Sequence, residues 1–388
     1  MKYPEVVLNK EGIKKYLSGN LWFSRKDISN FESLIKKIEP GSLVRIISKE
    51  GIFAGIGYFN PRVFYSLKLL TKEEVKIDKE FFIKCFKDAL SLRKRLFSGE
   101  SSFRLLFGEG DFIPGLIVDI FENLGVVQIY TLGIERLKEV IIEALCEVLP
   151  LSTVVLKNTA EKRKEEGLRN YVEVVKGCVQ EPVLVNIDGI KFLIPVLTGQ
   201  KTGFFLDQRE NRKFVAGVCK GKEVADCFCY TGGFGFYALK AGAKRVFFID
   251  TSEKALFLVE EIARLNNWED RVYIFNTDVF QYLKTTREIE ILILDPPAFI
   301  KSHRDIKKGE KKYENLFLAG ISRAGEFCFF SSCSHFLSRE RFLELIFKCL
   351  KKEGREGVIV YQGFQSPDHP IHPFVKETFY LKSVLLKL

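Results

Sequence analysis

The chain has no run of about 18 uncharged apolar residues, the length a membrane-crossing helix needs. Its start, Met1-Lys2-Tyr3-Pro4, does not open a signal-peptide pattern. Both absences point to a soluble, cytoplasmic protein with no membrane partner. Nine cysteines form no C-x-x-C pair, so a zinc site or dithiol redox motif is not expected, and reduced thiols are. Only four histidines occur, and His369 and His372 fall in an H-P-I-H-P stretch that reads as loop, so no metal is expected. A complete G-x-G-x-x-G is also missing. Tyr230 and Thr231 stand where its first glycine would be, which leaves less room for a pyrophosphate and favours a nucleoside-sized ligand.

What is present begins with charge. The net charge is +10, and residues 1–72 hold thirteen Lys/Arg against six Asp/Glu, or +7 of that total. An end-loaded basic module suits a polyanionic partner such as RNA. It reads as β-rich, with apolar runs at 42–48 and 52–58 around a Lys49-Glu50-Gly51 turn. Trp22, Arg25, Lys26 and Arg62 are the expected RNA contacts, the cations for phosphates and the ring for a base. The competing reading makes Trp22 a core residue and the cations a solvated face.

Residues 73–175 mix helical periodicity at 78–95 and 135–148 with strand-like runs at 103–107, 116–121, 126–130 and 151–157. This is a middle α+β domain without an evident chemical motif. In residues 176–388, a hairpin turning at Asp188-Gly189 leads into T-G-Q-K-T-G-F-F-L-D-Q-R-E-N-R at 198–212. The stretch 223–250 then reads as strand, glycine turn, helix and strand, ending on Asp250, 24 positions after Asp226. Nucleotide-binding α/β folds place a ribose carboxylate at about that spacing. Strands and helices alternate to the end of the chain, so the fold class is α/β with a doubly wound sheet. Asp226, Asp250, Asp278, Asp295 and Cys333 all come at or just after strand ends, where such sheets bind ligands.

Taken together, the 198–212 stretch, D-C-F-C-Y-T-G-G-F, V-F-F-I-D-T-S, L-D-P-P-A-F and S-S-C-S-H closely resemble the class I S-adenosylmethionine-dependent methyltransferases that make 5-methylcytosine in large-subunit ribosomal RNA. The resemblance runs over essentially the whole chain. It implies an N-terminal PUA domain (1–72), a middle α+β domain (73–175) and a C-terminal Rossmann-like, seven-stranded methyltransferase domain (176–388). It further implies cofactor contacts from Thr202, Phe205, Asp207, Asp226, Tyr230, Gly232, Gly233, Asp250, Asp278 and Val279, with Asp295 facing the target base and Cys333 as nucleophile. A homodimer is kept as a candidate assembly.

The chemistry agrees with that assignment. Carbon 5 of cytosine is a poor nucleophile until a thiolate adds to carbon 6, and a carboxylic acid at the ring nitrogen assists. The thiol needs a lowered pKa, through nearby positive charge or a helix N-terminus, and the helix near Arg339 is the expected source. Two positions depart from the family pattern: Ala298 stands where lysine is common, and His335 where glycine is usual. Two rival functions follow from other classes. One is a guanine-nitrogen RNA methyltransferase that uses no cysteine; the other is a noncatalytic RNA-binding protein on a methyltransferase scaffold.

Overall fold

A computed structural model describes residues 3–388; Met1 and Lys2, part of the start read above, lie outside the described residues. The chain divides into two compact units. One comprises Met1–Val183, Pro195–Phe204 and Pro367–Thr378, and the other Leu184–Ile194, Phe205–Ser366 and Phe379–Leu388.

In the first unit, β1 (Glu5–Val7), α1 (Lys10–Leu17), β2 (Trp22–Phe23), α2 (Phe31–Lys37), β3 (Ser42–Ile47), β4 (Phe53–Phe59) and β5 (Leu67–Thr71) build a five-stranded sheet in the order β1-β3-β4-β5-β2. The expected hairpin is the β3–β4 pair, with Ser42 opposite Phe59. Its interior is filled by Val6, Leu8, Phe23, Val44, Ile46 and Phe59, all fully buried, and removal of such side chains from water is the main force that holds a module this small.

The same unit continues through α3 (Lys79–Leu96), β6 (Ser102–Phe107), β7 (Leu116–Phe121), β8 (Leu124–Ile129), α4 (Leu132–Glu135), α5 (Lys138–Val148), β9 (Thr153–Asn158) and β10 (Tyr171–Lys176). A second five-stranded sheet results, in the order β10-β9-β8-β7-β6. Phe82, Phe86, Ile141 and Leu145 pack α3 and α5 on its face. The expected helix over 135–148 is broken between α4 and α5. Strand β10 has no counterpart among the expected strands.

The second unit opens with β11 (Val183–Ile187) and β12 (Ile190–Ile194). Their turn places both Asp188 (φ 50) and Gly189 (φ 74) in the left-handed region, as a two-residue hairpin loop demands. After α6 (Arg209–Ala216) come β13 (Glu223–Cys227), α7 (Gly233–Lys240), β14 (Arg245–Asp250), α8 (Glu253–Leu265), β15 (Val272–Asn276), α9 (Val279–Thr285), β16 (Ile289–Leu294), α10 (Ile306–Arg323), β17 (Ala324–Ser332), α11 (Arg339–Glu353), β18 (Val358–Gly363) and β19 (Lys382–Lys387). They form a seven-stranded sheet ordered β15-β14-β13-β16-β17-β19-β18. Strands β13 to β17 are parallel, and β19 runs antiparallel to both neighbours. All five residues of β13 are buried, Glu223 and Asp226 included, as in a parallel strand covered on both faces. The five parallel strands therefore end along one edge.

Candidate active site at the sheet edge

At the end of β13 the backbone turns through residues that carry strain. Phe228 (φ 60) and Tyr230 (φ 51) adopt left-handed conformations that bulky side chains reach only at a cost on the order of 1–2 kcal/mol each. Gly232 (φ 81) then caps α7. A Cβ there would come within 2.6 Å of the Phe236 ring and 2.8 Å of Phe248, and one at Gly233 within 2.7 Å of the Arg212 guanidinium. Both glycines are thus required by the protein's own packing.

The carboxylates divide by environment. Asp226 is buried and accepts the Gly235 amide at 2.7 Å; burial pushes its carboxyl up to about 7. Asp250 accepts the Tyr230 amide (2.9 Å) on one oxygen and the Ser252 amide (2.9 Å) on the other. Asp278 is exposed and caps α9 through the Gln281 amide at 3.2 Å. Val279 contributes a core side chain, 2% exposed, so only its backbone is at the edge. Arg212 lies among Asp207, Asp226 and Asp295, whose charge offsets the burial that draws the guanidinium below its ordinary pKa.

The 198–212 stretch is split by the fold. Thr202 and Phe204 are buried in the first unit, and the Thr202 hydroxyl has no hydrogen-bond partner among the described residues. Phe205 belongs to the second unit and meets Tyr230 edge-on at 5.6 Å. Asp207 is buried, accepts from the Tyr380 hydroxyl, and its carbonyl takes the Ser366 amide at 2.8 Å.

Beside them, Asp295 follows β16. Burial pushes its carboxyl up to about 6, and hydrogen bonds from Ser331 and Gln208 pull against that rise. Cys333 follows β17 and is half-buried, whereas Cys328 and Cys349 are fully buried. The loops carrying the two residues are tied by a hub that sequence reading missed. The Tyr313 hydroxyl bonds Ser332 Oγ (2.9 Å) and Ser334 Oγ (2.8 Å), and Ser334 Oγ also accepts the Ile300 amide at 3.3 Å. The helix expected near Arg339 begins at that residue as α11, and the Arg339 side chain bonds Gln362 and lies over Phe364.

The expected RNA contacts sit in the first unit. Trp22 donates from its indole to Glu109 at 3.1 Å and packs on Tyr65 at 5.0 Å. Arg25 pairs with Glu32, and Lys26 and Arg62 are exposed. His369 is a buried loop residue held by Asp368 at 2.8 Å.

Residues 6–72 match a PUA-like domain family and residues 168–317 an S-adenosylmethionine-dependent methyltransferase family. The chain is 32% identical over 372 residues to "Ribosomal RNA large subunit methyltransferase I" of Alteromonas mediterranea, covering 92% of this chain and 94% of that one. Against the Vibrio parahaemolyticus protein of the same description, identity is 33% over 383 residues and 95% of each chain. Among solved structures, a methyltransferase complexed with SAH superposes with a TM-score of 0.84 at 21% identity, over 99% of this chain and 100% of that one. A protein from Streptococcus mutans described as SAM-dependent gives 0.82 at 22%, with the same coverage.

Proposed function

Because the chain belongs to the ribosomal RNA large subunit methyltransferase I family and is an S-adenosylmethionine-dependent methyltransferase, we propose that it methylates carbon 5 of a cytosine in large-subunit ribosomal RNA through a covalent adduct on Cys333. The observation that carries this reading is the pairing of a half-exposed thiol with a carboxyl raised to about 6 on neighbouring strand ends.

The edge residues suit the methyl donor. Asp250 keeps acceptor capacity for ribose hydroxyls beyond its two amide bonds. Phe205 on Tyr230 offers an aromatic corner for an adenine or a sulfonium, and Arg212 among Asp207 and Asp226 matches a ligand bearing both charges. Asp278, Val279, Gly232 and Gly233 complete the set within this unit; Thr202, also expected at the cofactor, belongs to the first unit. When bound, the cofactor supplies an electrophilic methyl group.

The protein's own steps concern the base. The Cys333 thiolate bonds carbon 6, the carbon 5–carbon 6 π pair shifts onto carbon 5, and Asp295 places a proton or hydrogen bond on ring nitrogen 3. With its carboxyl at about 6, roughly a tenth of Asp295 is protonated at neutral pH. Once carbon 5 has been methylated, its hydrogen leaves as a proton to a base and the released pair restores the carbon 5–carbon 6 double bond. The carbon 6–sulfur bond breaks to expel the thiolate, and nitrogen 3 gives its proton back to Asp295.

The N-terminal PUA-like module would hold RNA through Trp22, Arg25, Lys26 and Arg62, in a three-part chain divided at 1–72, 73–175 and 176–388. A cytoplasmic setting accords with ribosomal substrates, and no helix among the described residues is long and apolar enough to cross a membrane. A homodimer is kept as the candidate assembly. Mass spectrometry of ribosomal RNA from a deletion strain tests the reading: loss of one 5-methylcytosine supports it, and loss of a methylguanine supports the cysteine-free rival instead.

A further inference from the structure

Lys382 opens β19 directly across from Ser332, the residue before Cys333. Its side chain turns inward and is only 6% exposed. The ammonium donates to the Ser334 carbonyl at 2.7 Å and to the Leu337 carbonyl at 2.9 Å, so residues 333–337 wrap around it. Among the described residues Lys382 has no carboxylate within ion-pair distance. Burying an ammonium without an anion is costly, and proteins ordinarily supply a counter-ion or let the group lose its proton.

We infer that Lys382 is the cation that stabilises the Cys333 thiolate and fixes the loop carrying it, a positioning residue acting through the nucleophile. This rests on the cysteine-adduct reading above. Two carbonyls orient the ammonium and leave its positive charge uncompensated, and the turn they belong to begins at the one half-exposed thiol on this edge. Burial lowers Lys382 to about 8, and the charge of Cys333 acts in the opposite direction. Such coupling is mutual, so a protonated Lys382 favours the thiolate.

Other titratable groups lie on the elements around this turn. Tyr313, from α10, is held at about 12 by burial and stays neutral. Asp295, beyond β16, titrates lower, at about 6. His335 is exposed and pairs with the Tyr380 ring at 5.6 Å. Arg339 of α11 is engaged with Gln362. Lys382 is the cation whose bonds lie within the Cys333 turn itself.

The test is pulsed iodoacetamide labelling of the full chain across about pH 6 to 10, read per cysteine by mass spectrometry, with exposed Cys178 as internal reference. In the unmodified protein, Cys333 is expected to label with a midpoint below that of Cys178. Lys382→Gln keeps a donor for the turn but removes the charge; it should raise the midpoint by about one unit, a tenfold slower reaction at neutral pH, and Lys382→Arg should restore it. His335→Gln should leave the profile in place. The inference is overturned if Cys333 and Cys178 titrate together in the unmodified protein, or if Lys382→Gln leaves the Cys333 profile in place. Should Lys382→Gln fail to fold, the comparison of the two cysteines in the unmodified protein decides. Labelling uses neither RNA nor methyl donor, so a Cys333→Ala protein that still methylates RNA would end the adduct reading while leaving this result separately readable.

Discussion

The Gln208 side-chain amide donates to the Asp295 carboxylate at 2.8 Å and to Ser331 Oγ at 2.9 Å, while its oxygen takes the Asn211 amide at 2.6 Å. One glutamine thereby holds the ends of β16 and β17 against the start of α6. Donation to the charged form pulls the Asp295 pKa down against burial. Gln208→Glu keeps an acceptor for Asn211 and sets a second carboxylate beside the first, which favours the protonated acid. If protonated Asp295 is the working form, the alkaline limb of the kcat–pH profile should move up by about one unit. An unmoved limb would remove Asp295 from that role.

Cys333→Ala separates nucleophile from scaffold. The thiol is half-buried and outside the sheet's apolar interior, so the thermal midpoint should change little. Methylation of ribosomal RNA should fall by about a thousandfold or more. Calorimetric titration with S-adenosylmethionine should stay close to the unmodified protein. Loss of methyl-donor binding in this variant would mean that Cys333 shapes the cofactor site.

The parallel strands were legible because burial on both faces leaves short apolar runs, as at 224–225 in β13 and 291–294 in β16, and Asp226, Asp250 and Asp295 follow such runs. Strand β2 has two residues and α2 seven, too short for a period to register. The excursion Pro367–Thr378 lies within the expected 176–388 domain. It clusters with the first unit, fastened where Arg93 donates to the Asp368 carbonyl at 2.8 Å and the Arg104 amide to its carboxylate at 2.9 Å. Those partners are 275 and 264 positions apart, beyond any local pattern. Gln208, Tyr313 and Lys382 were missed for a related reason. Each is a single polar residue on a different element, before α6, on α10 and on β19, and tertiary packing, which spacing does not record, brings it its partners.

Gly232→Ala tests the turn after β13. The added methyl must adopt φ 81, at about 1–2 kcal/mol, and would meet two rings at under 3 Å. Each kcal/mol is worth about 2–4 °C in a domain of this size, so the melting temperature should fall by several degrees and cofactor affinity should weaken with it. A variant that melts and binds normally would show that the turn relaxes freely.

Asp226 gives a stability prediction with a definite sign. Its folded pKa, about 7, lies above the ordinary 3.8, so between those values the folded state holds a proton that the unfolded chain has lost. Stability from this group is present below about pH 4 and is lost as pH rises toward 7. Three units correspond to an upper bound of about 4 kcal/mol, and nearby Arg212 reduces it. Asp226→Asn keeps an acceptor for the Gly235 amide and does not titrate, so its stability relative to the unmodified protein should rise steadily from pH 4 to 7. Urea melts at those two pH values measure the difference. A constant difference would mean that the carboxylate is already ionised in the folded state, with Arg212 as its working counter-ion.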